Sequence, residues 1–284
     1  MVTAIKLTCR TATVADRQRL ANLIHFEPLV HRHLDWRAPL DWIGKSPYLL
    51  AERGSRLEGA LACPPDPDEV AWLRLFATAG ENSPAETWWS LWPEAQAQLR
   101  RLQTPYAAAM PMLDWFRKLL QINEFELTHR VIMMQWERGD FPAPRPTEAA
   151  IRPMNLNDLP AIEVVDRKAF HPLWRNSPEA LQIAFRQAAV ASVAEIDGQL
   201  VGYQISTGNH MGGHLARLAT HPQFQGRGVG HALLRDTLVQ FSRRGTRQIT
   251  VNTQHDNYAS IILYEKAGFQ RTGETYPVYQ YQLA

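Results

Sequence analysis

The chain has 284 residues, of which 45% are hydrophobic and 20% charged, and its formal net charge is +2. This composition is typical of a soluble globular protein and excludes a largely disordered one, and so small a charge does not indicate a nucleic-acid-binding protein. Cys9 and Cys63 form no CxxC spacing, which indicates neither a zinc site nor a disulfide framework. No apolar run is long enough for a membrane span, and the first 20 residues lack the apolar centre of a signal peptide. We therefore expect a cytoplasmic protein with no metal, no membrane and no nucleic acid as partner.

In the first half of the chain, hydrophobic periodicity and turn residues predict strands that alternate with helices. Strands are predicted where apolar, β-branched and aromatic residues run between turn residues, and helices where apolar residues recur every three or four positions. The predicted elements are a strand at 4–10, a helix at 13–24, a hairpin at 48–63, a strand at 70–78, a helix at 84–102, a strand at 105–110, a helix at 112–125 and a strand at 127–138.

A proline-rich stretch at residues 138–153 separates the two halves. Closely spaced prolines fix φ and remove backbone donors, so they disfavour both helix and interior strand. We place a domain boundary in this stretch, which gives predicted domains at 1–145 and 146–284.

The second half repeats the order of elements more clearly. A short strand leads into a helix capped by Asn157 or Asp158, and Asp197-Gly198 joins two strands as a hairpin. The order β-α-β-β-β-α-β-α-β, present in both halves, predicts a mixed α/β fold made of an internal repeat. The remaining predicted elements are a strand at 214–220, a helix at 228–245, a strand at 247–253, a helix at 256–269 and a strand at 277–283.

Residues 223–234, QFQGRGVGHALL, place three glycines between a predicted strand and a predicted helix. Glycines at such a place serve either a hinge or turn, or the close approach of a ligand to the backbone. The first N–H groups of a helix have no intrahelical partner, and the helix dipole attracts anions. The stretch therefore predicts a pyrophosphate site at which Arg227 supplies a charge-assisted hydrogen bond.

The spacing of these glycines differs from two well-known phosphate loops. There is no Gly-Lys-Ser/Thr, as the Walker pattern requires, and His231 stands where the dinucleotide fingerprint has its third glycine. The pattern that fits is Gln225-x-x-Gly228-x-Gly230. On its own it is also compatible with a flexible entry to a helix.

Two longer segments carry a family resemblance. LATHPQFQGRGVGHALL resembles the acetyl-CoA signature of the GNAT N-acetyltransferase superfamily, and NTQHDNYASIILYEKAGF, which follows it, resembles the second signature of that family. The resemblance covers residues 149–284. It implies GNAT-like domains, each with a central, mostly antiparallel sheet flanked by helices, and acetyl-CoA as co-substrate. The residues implied to bind acetyl-CoA are Leu218, Ala219, Thr220, Gln225, Gly226, Arg227, Gly228, Val229, Gly230, Asn257 and Tyr264.

The resemblance also implies an N-acetyltransferase in which a primary amine attacks the thioester directly. A backbone N–H polarises the carbonyl, a base takes the amine proton, and Tyr264 protonates the leaving thiolate. Tyr264 is also compatible with a purely structural place in the core. Strand 214–220 offers no glutamate, so the candidates for the base are Glu195, His210, His214 and His255, with a water chain as the alternative.

The acceptor site is expected beside the first helix of the second half. Phe170, His171 and Trp174 are candidates for its lining, or else they close the core. The acceptor is a small-molecule amine or a protein N-terminus, and the protein a monomer or homodimer. Two alternatives stay open, namely a non-catalytic acyl-CoA sensor or adaptor, and an acyltransferase that uses another acyl chain or a hydroxyl acceptor.

The first half departs from the family after its strand at 70–78. The chain reads AGENSPAETWWSLW there, with one glycine and no signature, and Trp115 stands at the place of Tyr264. We expect a degenerate GNAT-like domain that does not bind acetyl-CoA.

Overall fold

The computed structural model describes residues 7–80, 83–209 and 212–283. The chain forms two compact units: one comprises residues up to 128 and from 277 onward, and the other residues 129–276. The predicted boundary at 145/146 lies later in the chain, because residues 131–137 pair with a strand of the second unit. The division into a degenerate and a catalytic domain stays a prediction.

The first unit contains a five-stranded antiparallel sheet of order β1-β3-β4-β6-β2. A further strand, β7, pairs parallel with β5. The elements are β1 (Thr8–Thr11), α1 (Arg17–Phe26), β2 (Leu29–Arg32), β3 (Tyr48–Arg53), β4 (Arg56–Ala62), β5 (Val70–Trp72), β6 (Leu75–Thr78), α2 (Pro84–Arg101), β7 (Tyr106–Ala109) and α3 (Asp114–Ile122).

The second unit contains a sheet of order β8-β13-β12-β11-β10-β9, in which only β12 and β13 are parallel. Its elements are most of β8 (Glu126–Glu137), β9 (Ala150–Pro153), α4 (Leu159–Ala169), α5 (Pro178–Gln187), β10 (Val190–Ile196), β11 (Gln199–Gly208), β12 (Gly213–Thr220), α6 (Val229–Arg243), β13 (Gln248–Gln254), α7 (Tyr258–Lys266) and the first half of β14 (Gln270–Gln282), whose residues from 277 onward belong to the first unit. Within the described ranges of the chain, no helix is both long and apolar enough to cross a membrane.

Helices cover both faces of the second sheet. Successive strand residues point to opposite faces, and β11 shows which helix lies on each. The Tyr203 side chain reaches Asp166 of α4, whereas a Cβ atom on Gly202 would lie 3.0 Å from the Val229 side chain of α6. We call the face that carries α4 the acceptor face. On the opposite face, α6 and α7 bury a core that includes Leu234 of α6.

The two units repeat the same details of strand pairing. A β-bulge interrupts β3 between Ala51 and Glu52, and another interrupts β10 between Ala194 and Glu195. The parallel pairs also match, because β5 meets β7 over 70–72 and β12 meets β13 over 213–215. The predicted internal repeat is therefore confirmed within the described residues.

Several elements differ from the sequence prediction. The predicted strand at 70–78 is broken into β5 and β6 at Leu73 and Arg74, and β14 begins before its predicted start. Neither β2 nor α5 was predicted. The predicted turn is confirmed, since Asp197 and Gly198 have φ values of 50° and 76°, as expected for a tight hairpin.

Candidate cofactor and acceptor site

The glycines before α6 are required first by the turn. Gly226 and Gly228 have φ values of 77° and 80°, a conformation that L side chains rarely adopt. A Cβ atom on Gly228 would also lie 2.8 Å from the carbonyl oxygen of Pro146. At Gly230 an added Cβ would meet its nearest described neighbours at an ordinary 3.5 Å. The first two glycines therefore set the path of the chain, whereas Gly230 keeps the helix start uncovered.

The start of α6 presents free backbone donors. Gly228 is the N-cap residue, and the first intrahelical bond here is that of the Ala232 N–H to the Gly228 carbonyl, at 3.0 Å. The N–H groups of Val229, Gly230 and His231 precede that bond, so they have no intrahelical partner. Together with the helix dipole, they form a place suited to a phosphate group.

Arg227 lies beside these donors with a partner of its own. Its guanidinium forms an ion pair with Glu148, and both side chains are well exposed. The guanidinium carbon also lies 5.3 Å from the ring centre of Phe224. Arg227 is thus within the predicted anion site, but a phosphate would have to replace a carboxylate.

A gap opens between β12 and β13. Their last parallel pair joins Leu215 to Val251, and beyond it β12 pairs only with β11, while β13 pairs only with β8. The segment Arg217–Thr220, which contains the predicted contacts Leu218, Ala219 and Thr220, therefore has one unpaired edge. Backbone groups along such an edge are free to bond an extended ligand. The gap is closed at Leu215 and open towards the glycine loop, which begins at Gln225.

Tyr264 lies at the closed end of this gap. It is buried on α7, in one cluster with Leu215 and Val251, and its ring centre lies 5.6 Å from that of Phe269. Burial raises the pKa of the Tyr264 hydroxyl, which keeps it protonated at neutral pH. This position suits both a proton donor and a core residue.

Asn257 caps α7. Its Oδ1 accepts the N–H of Ser260 at 3.2 Å, and its Nδ2 donates to Gln254 Oε1 at 3.4 Å. The side chain predicted to touch the cofactor is thus already used to fix the start of the helix, and a ligand contact would share it.

Of the candidate bases, Glu195 lies in a structural ion pair. Its carboxylate lies 2.6 Å from the guanidinium of Arg152, which also holds Asp158. It is placed on β10, two strands away from β12. We therefore do not retain Glu195 as the base.

His214 lies on the paired part of β12, before the gap opens. Its Nδ1 lies 2.9 Å from Thr250 Oγ1, and burial lowers its pKa. His210 lies outside the described residues. His214 is therefore not placed at the open end of the gap.

His255 follows β13 at the open end of the gap and lies 3.7 Å from Asp256. His129 is near it: burial lowers the pKa of His129, Asp256 raises it, and His171 and His255 lower it further. The His255 N–H also donates to the carbonyl of Arg130, the residue after His129, at 2.9 Å, which places the two histidines at the same end of the sheet. The sequence did not suggest His129, because its strand was assigned to the first domain.

The predicted lining residues reach the acceptor face. The His129 ring lies edge-on to Trp174, with centres 5.8 Å apart, and the guanidinium carbon of Arg217 lies 3.7 Å from the ring centre of Phe170. His171 Nδ1 accepts the Leu173 N–H at 3.4 Å. All three predicted lining residues thus lie in the segment between α4 and α5, with Phe170 beside β12.

Arg217 belongs to a buried group that the sequence did not reveal. Its Nε and Nη2 donate to Asp166 Oδ2 at 2.8 and 2.5 Å, and the Tyr203 hydroxyl donates to the same oxygen. Asp166 Oδ1 accepts the Asn176 N–H at 3.0 Å. We call Asp166, Tyr203 and Arg217 the polar trio. They lie 37 and 51 residues apart along the chain, so no local spacing could indicate the group.

The first unit has no such gap in its described part. In this unit β6 is the strand that follows the parallel pair, as residues 217–220 of β12 do in the second unit. One edge of β6 pairs with β4, and the other pairs with β2, from Leu29 opposite Thr78 to Arg32 opposite Leu75. A strand of the chain itself thus occupies the edge that is unpaired in the second unit.

Comparisons with known proteins agree with this geometry. Residues 132–269 match the model of the acetyltransferase (GNAT) family. A putative ribosomal protein bS18-alanine N-acetyltransferase of Bacillus subtilis (strain 168) is 24% identical over 127 residues, which are 45% of this chain and 84% of that protein. A GCN5-related N-acetyltransferase from Sphaerobacter thermophilus is similar in structure with a TM-score of 0.61, at 16% identity, over 98% of this chain and 96% of that one. A tandem GNAT protein from the clavulanic acid biosynthesis pathway gives a TM-score of 0.62, at 15% identity, over 98% of each chain. The predicted family and fold class are confirmed.

Proposed function

Because the chain belongs to the GNAT superfamily of acetyltransferases, we propose that its second unit transfers an acetyl group from acetyl-CoA to a primary amine. The observation that carries the proposal is the unpaired edge of β12, which leads directly into the glycine loop and the free N–H groups of α6. The first unit lacks this combination in its described part, since β2 covers the corresponding edge.

Different residues of the second unit would bind the different parts of acetyl-CoA. The N–H groups of Val229, Gly230 and His231, with Arg227, would hold the pyrophosphate. The unpaired edge at Leu218–Thr220 would bond the amide groups of the pantetheine arm. When bound, acetyl-CoA supplies an activated acyl group, and the closed end of the gap would place it beside Tyr264.

The chemistry then needs two proton transfers and one polarised carbonyl. A backbone N–H of β12 would stabilise the charge that develops on the carbonyl oxygen as the amine nitrogen bonds to its carbon. As the C–S bond breaks, Tyr264 would give its proton to the thiolate, and a histidine would take the proton of the amine. Because His129 and His255 lie at the open end of the gap, away from Tyr264, that proton would reach them through a water chain.

The acceptor is a primary amine. The Bacillus relative is a putative N-acetyltransferase for an alanine of a ribosomal protein, which supports a protein N-terminus as one candidate beside small-molecule amines.

Calorimetric titration with acetyl-CoA tests the proposal. We expect one binding site per chain, lost in Gly228→Glu, because a side chain at Gly228 would meet the Pro146 carbonyl oxygen at 2.8 Å and displace the turn that presents the free N–H groups of α6. Gly245→Glu is the matched control: Gly245 follows the other end of α6 and also has a positive φ, of 81°. Two sites per chain, or full affinity in Gly228→Glu with the fold intact, would contradict the proposal.

A further inference from the structure

The first unit shows that the fold does not need the polar trio. Gly59 and Gly202 are equivalent, since Gly59 pairs with Thr78 and Gly202 with Thr220, and an added Cβ would in each case lie 2.9 Å from a carbonyl of the neighbouring strand. Counting along the strands from these pairs, and along the helices from Asp16 and Asp158, gives the residues that correspond to the trio. Ile24 corresponds to Asp166, Ala60 to Tyr203 and Leu75 to Arg217. All three lie in one buried apolar cluster.

A buried ion pair at this place adds less to the free energy of folding than apolar side chains of similar size would. Removing two charges from water opposes folding, and well-packed apolar residues at such places are often as stabilising or more so. The trio is present only in the unit that has the gap and the glycine loop. Its presence therefore indicates a role in function rather than in folding.

One nitrogen of the Arg217 guanidinium, Nη1, is available to donate a hydrogen bond to a ligand. Nε and Nη2 donate to Asp166, whereas Nη1 has no hydrogen-bond partner in the described part of the chain. The Arg217 side chain is 13% exposed, and Nη1 is not fully enclosed. Asp166 and the Phe170 ring hold the guanidinium in one orientation.

Arg217 also lies at the right place along β12. It follows Leu215, the last β12 residue paired with β13, by two positions. It is therefore at the closed end of the gap, on the acceptor face, where the acyl group is proposed to lie. An acceptor whose amine reaches that acyl group would pass Nη1.

We propose that Arg217 Nη1 binds a carbonyl oxygen next to the acceptor's amine, so that the acceptor is an α-amino amide, as at a peptide N-terminus. The inference rests on the acetyltransferase function proposed above and adds the chemical class of the acceptor. A neutral oxygen suits the site better than a carboxylate, because Asp166 already balances the charge of Arg217. A carboxylate would add an unbalanced negative charge to an enclosed place.

Four amines with the same CH2–NH2 group test the proposal: glycinamide, triglycine, glycine and ethylamine. Rates are referred to the free-base form of each amine, which removes the difference in protonated fraction, and the more basic ethylamine is then the intrinsically better nucleophile, so a preference for glycinamide reports binding. We expect kcat/KM for glycinamide and triglycine to exceed that for ethylamine and glycine about tenfold, as one hydrogen bond to a charged group allows. This comparison uses the wild-type protein and needs no variant.

Arg217→Lys then assigns the preference to the residue. Lysine keeps a cation beside Asp166 but removes the fixed Nη1 donors. We expect a KM for glycinamide about tenfold higher, so that the ratio of kcat/KM for glycinamide to that for ethylamine falls about tenfold. Arg152→Lys, the same change at the structural ion pair with Glu195, is the control and should leave the preference intact.

The outcomes separate the two proposals. Equal use of glycinamide and ethylamine, a preference that survives in Arg217→Lys, or no turnover of the four amines by a protein that binds acetyl-CoA would each overturn the role of Arg217. A wild-type protein that does not bind acetyl-CoA would contradict the proposed function itself.

Discussion

Glu195 and Glu52 occupy equivalent positions in the two units. Each follows the β-bulge of its strand, and each bonds an arginine, at 2.6 Å from Arg152 and 2.7 Å from Arg10. In both units the same arginine also holds an aspartate at the start of a helix. A feature that recurs in the unit without a gap serves the fold, which is why Glu195 is a poor choice for the base even though its residue type suits one.

We expect Glu195→Gln to leave acetyl transfer and its pH profile unchanged. The ion pair is partly exposed, so its loss should lower the free energy of unfolding by no more than about 1 kcal/mol. Urea unfolding and steady-state kinetics measure the two effects. Glu52→Gln is the matched control in the first unit. A transfer rate that falls in Glu195→Gln but not in Glu52→Gln would restore Glu195 as the base.

Tyr264→Phe separates the proton donor from the core residue. The ring stays in its cluster while the hydroxyl is removed, so the acetyl-CoA affinity should not change, whereas kcat should fall about 100-fold if that hydroxyl protonates the thiolate. Tyr258→Phe is the control, because Tyr258 lies on the same helix but is 71% exposed. Equal kcat values in both variants would leave Tyr264 as a core residue only.

The sequence predicted those parts of the site that depend on neighbouring residues. The turn at Gly226 and Gly228 and the start of α6 follow from short patterns, whereas the contacts at Leu218–Thr220 were implied only by the family resemblance. The polar trio did not, because Asp166 and Arg217 meet only when α4 packs on the sheet, 51 residues apart in the chain. For the same reason the sequence did not predict β2, because its four residues are too few for a recognisable strand pattern and become a strand by pairing with β6.

The first unit should lose stability in acid because of His31. Its ring is buried between the carbonyl of Leu73, 3.0 Å from Nε2, and the ring of Phe116, and burial lowers its pKa to about 4. Above pH 6.5 the ring is neutral in both the folded and the unfolded chain. Between pH 6.5 and 4 the unfolded chain binds a proton that the folded one does not, so stability falls as the pH falls, by about 3 kcal/mol in total.

Urea unfolding followed by tryptophan fluorescence, at pH 7, 5.5 and 4.5, measures this loss, since most tryptophans lie in the first unit. His31→Phe keeps a stacked ring without a titrating group and should reduce the slope, while the buried His33, whose pKa is lowered in the same direction, keeps its share of it. His25→Phe changes an exposed histidine and should leave the slope as in the wild type. A slope that is the same in all three proteins would show that His31 is not the group that titrates.

Glu148 should compete with the ligand for Arg227. The pair is well exposed, so it adds little to stability, but the carboxylate holds the guanidinium that is predicted to bind the pyrophosphate. Glu148→Gln removes the competing charge, and we expect acetyl-CoA to bind about threefold more tightly at low salt, with the gain reduced at high ionic strength. Calorimetric titration at two salt concentrations measures both effects. Glu163→Gln removes a partly exposed carboxylate that pairs with Arg167 on α4, and should leave the affinity unchanged. Equal affinities for the wild type and Glu148→Gln would mean that Arg227 does not contact the cofactor, and the N–H groups of α6 would then hold the pyrophosphate alone.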